Sequence, residues 1–175
     1  MDSQTPPIRP TFGSHIKVLE KVCALLGRPA CLEFGPGPYS TPLLLRHASR
    51  LISVEHDPAF ADQVSALSPG GTAHEITIEP DLSLHASIAQ RHAPFDLVLI
   101  DGAREVRADL VLATLDLSRI VIAHDTDKQT YHWEKLDVLD PDTRLDFTAD
   151  PPWTSVFSRH HDLLDRLRAL APSSQ

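Results

Sequence analysis

The chain alternates short apolar runs with stretches of helical composition. The apolar runs have the length of strands and are ACLEF (30–34), LISVE (51–55), AHEITI (73–78), FDLVLID (95–101) and RIVIAHD (119–125). The stretches with helical composition lie between and after them, at residues 39–49, 58–67, 82–92 and 104–116. Strands that alternate with helices predict crossover connections and a parallel sheet. The pattern therefore predicts a doubly wound α/β fold with five buried strands.

The segment before the first strand divides in two. Residues 1–13 are rich in proline and small polar residues, which predicts a flexible N-terminal arm. Ser14 is a suitable N-cap, apolar residues follow at helical spacing as far as Leu26, and Gly27 stands at the C-cap position. We expect a helix over 14–26 that opens a single domain comprising residues 14–175.

The segment after the fifth strand follows a different pattern. A helical stretch near 127–138 precedes TRLDFTAD (143–150) and TSVFSRH (154–160), which are separated only by residues 151–153. Such a link is too short for a crossover helix, so the two runs are expected to pair as antiparallel strands.

The last helix carries an apolar stripe made of Leu163, Leu164, Leu167 and Leu170. This stripe covers the sheet in the preferred interpretation. In the alternative it covers a second subunit, which would make the protein a homodimer.

Composition excludes several classes of protein. Hydrophobic residues make up 42% and charged residues 23% of the 175 residues, as in ordinary globular domains. Sixteen basic against twenty-four acidic residues leave a net charge of −8, the wrong sign for general binding to nucleic acid or anionic membranes. No apolar run is long enough to cross a bilayer. Cys23 and Cys31 have no metal-binding spacing, which favours a reducing compartment and a cytoplasmic location.

Ligands of open α/β sheets bind at the carboxyl ends of the strands. The first strand runs into LEFGPGPYSTP, where Gly35 and Gly37 allow a tight turn. Ser40 replaces the third glycine of a dinucleotide-binding GxGxxG motif, and Pro36 and Pro38 have no N–H to offer a pyrophosphate. The turn is therefore poorly suited to phosphate binding.

Glu55 ends the second strand, 20 residues after Gly35. A carboxylate at this distance can accept hydrogen bonds from both hydroxyls of a ribose. Together, the turn and the carboxylate favour a nucleoside without phosphates. In the plainer alternative the glycines only form a turn and Glu55 is a solvated strand end.

Four segments together resemble a known family. LEFGPGPYSTPLLL, ISVEHDPAFADQV, FDLVLIDGA and IVIAHDT resemble the glycine loop and the second, fourth and fifth strands of class I S-adenosylmethionine-dependent methyltransferases. The resemblance spans about residues 28–126 and is greatest to the small-molecule O-methyltransferase-like branch. It implies a Rossmann-like sheet of seven strands, mostly parallel, with an antiparallel C-terminal strand.

The resemblance also implies roles for individual residues. Glu33 and the turn from Gly35 to Gly37 would lie beside the methionine part of S-adenosylmethionine. Glu55 would bind the ribose, and His56 would lie against the adenine or ribose. Asp81, with Glu79 as a competitor, would meet the adenine amino group, and Asp101 would face the sulfonium and the substrate. The implied cofactor-binding residues are Glu33, Gly35, Gly37, Ser40, Glu55, His56, Asp81 and Asp101.

Transfer of a methyl group to a hydroxyl is helped by a general base. The candidates at this edge of the sheet are Asp101, His124 and Asp125, although His124 can equally be a packed strand-end residue and Asp125 an N-cap. Asp101 and Asp125, with Asp109 or His124, could also bind Mg²⁺.

One feature departs from the family pattern. Related sequences often read DGxH after the fourth strand, where this chain has Asp101-Gly102-Ala103-Arg104. The missing histidine weakens the transferred catalytic role. Arg104 and Arg107 are candidates for binding an acidic substrate, or belong to a solvated helix face. Residues 131–133 and Trp153 offer aromatic rings that stack on an acceptor or, in the preferred interpretation for residues 131–133, pack against the sheet.

The sequence thus predicts a methyltransferase that acts on a small molecule, most simply at a hydroxyl oxygen. The alternative is a non-catalytic module of the same fold that binds S-adenosylmethionine or S-adenosylhomocysteine, or a protein partner. A nicotinamide-dependent oxidoreductase is disfavoured by the prolines of the glycine turn. Methylation of protein or nucleic-acid amino groups is disfavoured because no NPPY-type motif follows the fourth strand.

Overall fold

The computed structural model describes residues 14–65 and 72–170. The predicted arm at 1–13 and the end of the predicted helix at 58–67 therefore lie partly or wholly outside the described residues. Within them the chain forms one seven-stranded sheet in the order β3-β2-β1-β4-β5-β7-β6. The strands are β1 (Ala30–Phe34), β2 (Arg50–Glu55), β3 (Ala73–Ile78), β4 (Phe95–Ile100), β5 (Ser118–His124), β6 (Arg144–Phe147) and β7 (Thr154–Phe157).

The direction of the strands matches the predicted fold. β1 to β5 pair in parallel, whereas β7 runs antiparallel to both β5 and β6. The predicted C-terminal hairpin is therefore confirmed, and it extends the sheet on the β5 side. The helices are α1 (Ser14–Leu26), α2 (Ser40–His47), α3 (Pro58–Ser65), α4 (His85–His92), α5 (Arg107–Thr114) and α6 (His161–Leu170).

Two apolar cores lie on opposite faces of the sheet. Successive residues of a strand point to opposite faces, so Cys31 belongs to one core and Leu32 to the other. The first core also takes in the buried side chains of α1, α2 and α6, and the second those of α4 and α5. In α6, three leucines of the predicted stripe are buried against the first core, and Leu170 is exposed. The preferred interpretation of the stripe, packing within the chain, is therefore supported.

The prediction of five buried strands is wrong for β3. This strand is at the edge of the sheet, and its residues alternate between exposed and half-buried, with Ile78 47% exposed. Among residues 14–65 and 72–170, only β2 pairs with it. The strand was identified correctly, but local sequence does not show that it has a neighbour on one side only.

The prediction of a helix near 127–138 is also wrong in kind. This segment forms two short 3₁₀ turns, Gln129–Tyr131 and Trp133–Val138, separated by His132 in the left-handed conformation with φ +59°. A single residue in that conformation breaks the i→i−4 hydrogen-bond pattern, so a continuous α-helix does not form. Among the helices of the described residues, none is both long and apolar enough to cross a membrane.

Candidate cofactor and acceptor site

The predicted site residues converge at the carboxyl ends of the parallel strands. A cavity of about 620 Å³ opens there, within the size range typical of small-molecule sites. Its walls come from the turn 35–40, from Glu55 and the start of α3, from residues 101–103 and from His15 of α1. We call this space the cofactor cavity.

The glycine turn packs directly against the chain that follows β4. Gly35 has φ +80°, and a Cβ built on it would lie 2.3 Å from the Cα of Gly102. Glycine at 35 is therefore required by the protein itself. Gly37 also lines the cavity, but a Cβ there would meet only Ser40 Oγ, at 3.8 Å. Protein packing does not require a glycine at 37.

Glu33 supports the turn from inside the protein. It is fully buried and accepts hydrogen bonds from the hydroxyls of Ser40 (2.6 Å), Thr41 (2.8 Å) and Ser53 (3.0 Å). The Thr41 hydroxyl also accepts from the N–H of Gly37 (2.9 Å). Burial raises the pKa of Glu33 to about 7, although the three hydroxyl donors oppose this rise. Glu33 does not line the cofactor cavity, so its place in the structure is that of a positioning residue.

The turn has few donors for a phosphate. The N–H of Gly35 donates to Val54 O (3.0 Å) and that of Gly37 to Thr41 Oγ1, while Pro36 and Pro38 have no N–H. Every backbone donor of residues 35–38 is therefore used or missing. This agrees with the sequence argument that the turn suits a ligand without phosphates at this position.

Glu55 offers one free carboxylate oxygen to the cofactor cavity. Its Oε1 accepts from the N–H groups of His56 (2.8 Å) and Asp57 (2.9 Å), and lies 2.7 Å from Nδ1 of His56. Within the described part of the chain, nothing donates to Oε2. Burial and these bonds hold the carboxylate in one orientation, and the His56 ring, half-exposed, lies beside it.

Asp81 is not brought to this cavity. Its Oδ1 accepts from the N–H (3.0 Å) and hydroxyl (2.7 Å) of Ser83, so the side chain caps the 3₁₀ turn Leu82–Leu84. Glu79 in turn accepts from the N–H of Asp81. Asp81 was predicted from its position after β3 and from the family resemblance, and neither reveals this local cap. Ser40, in contrast, does line the cavity, with its hydroxyl directed to Glu33.

A second cavity of about 620 Å³ lies next to the first, and Asp101 borders both. We call it the acceptor cavity. It is bounded by the ends of β4 and β5 and by the C-terminal hairpin. The residues that line it are Asp101, Arg107, His124, Asp125, Lys128, Tyr131, Pro151 and Pro152.

A chain of polar contacts runs along the boundary between the two cavities. Nδ1 of His124 lies 3.2 Å from Oδ1 of Asp101, and Nε2 of His124 lies 3.0 Å from Oγ of Ser14. Ser14 donates its proton to Pro152 O (2.7 Å). Burial alone would raise the pKa of Asp101, but the hydrogen bond from His124 and the charges of His124, His15 and Arg107 outweigh it and hold that pKa below its ordinary value. Asp101 is therefore a carboxylate near neutral pH.

Arg107 is neither on a solvated helix face nor free to bind a substrate. It is 6% exposed and connects the ends of β4 and β5. Its guanidinium donates to the carbonyls of Asp101 (2.9 Å), Gly102 (2.9 Å) and His124 (3.1 Å), and to Asp125 Oδ2 (3.0 Å). Arg104 is exposed and pairs with Glu105.

The structure does not fit Mg²⁺ between Asp101 and Asp125. Nη1 of Arg107 lies 3.1 Å from Asp101 Oδ1 and 3.0 Å from Asp125 Oδ2, so a guanidinium already occupies the position between the two carboxylates. Asp109 is on the surface, where it binds Lys135 at 2.6 Å. The expected Mg²⁺ site is thus replaced by an arginine bridge, which the sequence did not reveal.

The aromatic residues after β5 divide between packing and lining. Trp133 is buried and its indole N–H donates to Asp125 O (3.1 Å), as the packing interpretation predicts. Tyr131 borders the acceptor cavity, where its ring lies 4.9 Å from the Arg107 guanidinium. Trp153 is 40% exposed in the hairpin turn.

Two residues of the site were missed by the sequence argument. Ser14 was assigned only as an N-cap, and His15 was not singled out, because both stand at the start of an amphipathic helix where polar residues are common. His15 is 2% exposed, and its ring lies 4.3 Å from that of His124. No local pattern marks either residue, since their partners are more than 80 positions away.

The protein is similar to known proteins in its fold rather than in its sequence. No protein-family model and no curated protein matches the sequence. The O-methyltransferase TomG from Streptomyces achromogenes, involved in tomaymycin synthesis and solved with S-adenosylmethionine, is 19% identical over 87% of this chain and 82% of its own, with a TM-score of 0.61.

Two further structures show the same likeness. An O-methyltransferase from Bacillus cereus, solved with S-adenosylhomocysteine, is 20% identical over 82% of this chain and 80% of its own, with a TM-score of 0.62. An rRNA methylase from Streptococcus thermophilus is 14% identical over 87% of this chain and 97% of its own, with a TM-score of 0.61. Together with the strand order, these likenesses show that the chain has the Rossmann-like fold of class I S-adenosylmethionine-dependent methyltransferases.

Proposed function

We propose that the protein is a class I S-adenosylmethionine-dependent methyltransferase that methylates a small molecule, most simply at a hydroxyl oxygen. The observation that carries the proposal is the position of Asp101, whose carboxylate borders both the cofactor cavity and the acceptor cavity. A methyl group carried by a cofactor in one cavity and an acceptor in the other would meet at this residue. Small-molecule acceptors are supported by the size of the acceptor cavity and by the O-methyltransferases that share the fold.

The residues of the cofactor cavity fit S-adenosylmethionine. Oε2 of Glu55 is free to accept from the ribose hydroxyls, and the proline-rich turn suits a ligand without phosphates. The sulfonium of the cofactor carries a positive charge, which the Asp101 carboxylate would attract at the other end of the cavity. Gly37 leaves the wall of the turn without a side chain. Asp81 remains a prediction for the adenine end, although its side chain does not line the cavity.

Methyl transfer to oxygen is an in-line displacement. The S–CH₃ bond breaks while the O–CH₃ bond forms, the acceptor loses its hydroxyl proton, and S-adenosylhomocysteine leaves. The protein has to hold oxygen, carbon and sulfur in register, which the adjoining cavities would do. Asp101, His124 and Asp125 line the acceptor cavity and remain the candidates for the group that assists loss of the proton. Arg107 holds the two aspartates in place, so we do not propose Mg²⁺ between them.

We also propose a cellular location, an acceptor class and an assembly for the protein. Cys23 and Cys31 are both free and buried, which supports a reducing, cytoplasmic environment. The net charge of −8 argues against a nucleic-acid acceptor, and the likeness to an rRNA methylase is one of fold. A monomer is the simplest assembly, because the apolar side of α6 is covered within the chain.

The test is formation of S-adenosylhomocysteine when the protein is supplied with S-adenosylmethionine and a panel of hydroxylated small molecules. Turnover of at least one acceptor is expected, with Asp101→Asn lowering it at least about tenfold. Asp109→Asn, an exposed aspartate on α5, is the matched control and is expected to keep full activity. A protein that binds the cofactor but produces no S-adenosylhomocysteine with any acceptor would instead favour the non-catalytic binding module.

A further inference from the structure

We propose that His15, Asp101 and His124 bind a divalent first-row transition-metal ion at the boundary of the cofactor and acceptor cavities. Two imidazoles and one carboxylate from α1 and the ends of β4 and β5 meet there. Arg107 binds the carbonyl oxygens of Asp101 and His124 and Oδ1 of Asp101, and leaves Oδ2 of Asp101 and the His124 ring nitrogens to other partners. Binding of the ion stands by itself. Only the use of the ion in methyl transfer, given below, rests on the proposed function.

The distances between the three side chains suit one shared ion. A ligand atom from each lies within 4.8 Å of those of the other two. His15 Nε2 is 4.0 Å from Asp101 Oδ2, which is too long for a hydrogen bond but is spanned by an ion about 2.0–2.2 Å from each atom. Neighbouring ligand atoms on a tetrahedral ion of this kind are about 3.4 Å apart, so the three side chains would have to approach one another by up to about 1.4 Å when the ion binds.

His15 is the first independent sign of a missing partner. It is 2% exposed, and neither ring nitrogen has a hydrogen-bond partner among residues 14–65 and 72–170. Buried polar atoms are nearly always paired in folded proteins, so a histidine with two unpaired nitrogens requires an explanation. Its Nε2 is directed towards the Asp101 carboxylate, and the residue lines the cofactor cavity. A metal ion would satisfy that nitrogen.

The hydrogen bonds of His124 are the second sign that a partner is missing at this position. Ser14 uses its only proton on Pro152 O, so its oxygen accepts from His124, and Nε2 of His124 carries a proton. Nδ1 lies 3.2 Å from the Asp101 carboxylate. In the charged ring Nδ1 donates a second proton to the carboxylate, which is the hydrogen bond described above, whereas in the neutral ring it faces the carboxylate with a lone pair. Two acceptors at that distance need a positive charge between them, either a second proton or a metal ion. The unpaired nitrogen of His15 beside the same carboxylate favours the metal ion.

The contacts around the three residues resemble the surroundings of a metal site. Ser14, hydrogen-bonded to Nε2 of His124, would hold the ring with Nδ1 towards the ion, as outer hydrogen bonds do for metal-binding histidines. Arg107 contacts Oδ1 of Asp101 and leaves Oδ2 on the side of His15. Imidazole ligands favour Zn²⁺, Co²⁺, Fe²⁺ or Ni²⁺ over Mg²⁺, which prefers oxygen ligands.

The position of the ion gives it a use in the proposed reaction. Asp101 and His124 line the acceptor cavity, while His15 and Asp101 line the cofactor cavity. An acceptor hydroxyl bound to the ion would lose its proton to solvent more readily, because the ion stabilises the oxyanion. The oxyanion would then form the O–CH₃ bond as the S–CH₃ bond breaks and S-adenosylhomocysteine departs.

The test is calorimetric titration of the chelator-treated full chain with Zn²⁺, and with Co²⁺ followed by its visible absorption, in the absence of any cofactor. One ion per chain is expected. His15→Phe keeps a ring of similar size without the ligand and is expected to weaken binding more than about 100-fold. His132→Ala removes an exposed histidine instead and is expected to bind like the unaltered protein. No binding by the unaltered protein, or equal binding by His15→Phe, overturns the proposal.

A second measurement does not depend on a variant that folds. X-ray absorption at the zinc edge of the loaded, unaltered protein is expected to show two imidazoles and oxygen ligands, and a spectrum without two imidazoles overturns the proposal. The outcome is independent of methyl transfer. If the protein binds the ion but not S-adenosylmethionine, the proposed function is wrong and the metal site stands. If it binds S-adenosylmethionine but not the ion, the proposed function stands and the metal site is wrong.

Discussion

Gly35 and Gly102 contact each other backbone to backbone at the ends of β1 and β4. The N–H of Asp101 donates to Phe34 O (2.8 Å), so the two chain segments are also joined by a hydrogen bond beside this contact. A side chain at either glycine would separate the turns that form the two walls of the cofactor cavity. This contact explains how one edge of the sheet places the turn and Asp101 on adjoining walls of the cofactor cavity.

The contact predicts different effects for two neighbouring substitutions. Gly35→Ala is expected to lower the free energy of unfolding by more than about 2 kcal/mol, because it places a Cβ at φ +80° and against Gly102. Gly37→Ala is expected to cost less than about 1 kcal/mol and to weaken S-adenosylmethionine binding about tenfold, since only the cavity is affected. Urea unfolding and calorimetry of both variants check this. Similar losses of stability in the two variants would contradict it.

The buried contacts of Arg107 predict that substitutions at Arg107 and at the nearby Arg104 differ in their effect on stability. Arg107→Lys is expected to lower the free energy of unfolding by about 3 kcal/mol or more, because one ammonium cannot replace donors to three carbonyls and Asp125. Arg104→Lys, on the surface beside it, is expected to stay within about 0.5 kcal/mol of the unaltered protein. Chemical denaturation of the two variants measures the difference, and equal stability would argue against the bridge.

Glu33 predicts a dependence of stability on pH. Its pKa is raised to about 7 in the folded protein, from an ordinary value of 4.5, so the folded state binds this proton more tightly than the unfolded state. The contribution of the protonated group is therefore fully present below about pH 4.5 and is lost as the pH rises through about 7. Relative to Glu33→Gln, the unaltered protein is expected to lose on the order of 3 kcal/mol of stability across this window.

The comparison for Glu33 is made by denaturation at several pH values between 4.5 and 8. Glu75→Gln on the exposed edge strand β3 removes a charge without removing a buried carboxyl and serves as the control. A constant difference in stability between the unaltered protein and Glu33→Gln across the window would contradict the account.

Much of the fold was predictable because its signals are local. ACLEF predicted β1 without error, and the short link at residues 151–153 was enough to predict the hairpin of β6 and β7. The predictions failed where structure depends on distant neighbours. The exposure of β3 depends on its place at the edge of the sheet. The segment after β5 is broken at His132, which has a left-handed conformation that the sequence does not indicate, because the residue is not a glycine.

The candidate site was predictable only to the extent that it follows from strand ends. Glu55, Asp101 and His124 end or follow strands, so the sheet brings them together once its order is known. The position of His15 depends on how α1 lies across the sheet, which its own amphipathic pattern does not encode. Arg107 was predicted to bind an acidic substrate or to lie on a solvated helix face. Three of its partners are the backbone carbonyls of Asp101, Gly102 and His124, and no sequence pattern identifies such partners.

The central claim is that the cofactor cavity binds S-adenosylmethionine, and calorimetric titration tests it most directly. The protein is expected to bind S-adenosylmethionine and S-adenosylhomocysteine in the micromolar range and not to bind NAD. Glu55→Gln is expected to weaken binding about 10- to 100-fold, because one charged acceptor for the ribose is lost, whereas Glu75→Gln is expected to change nothing. A folded protein that binds neither compound, or that binds them equally well with glutamine at position 55, would contradict the account.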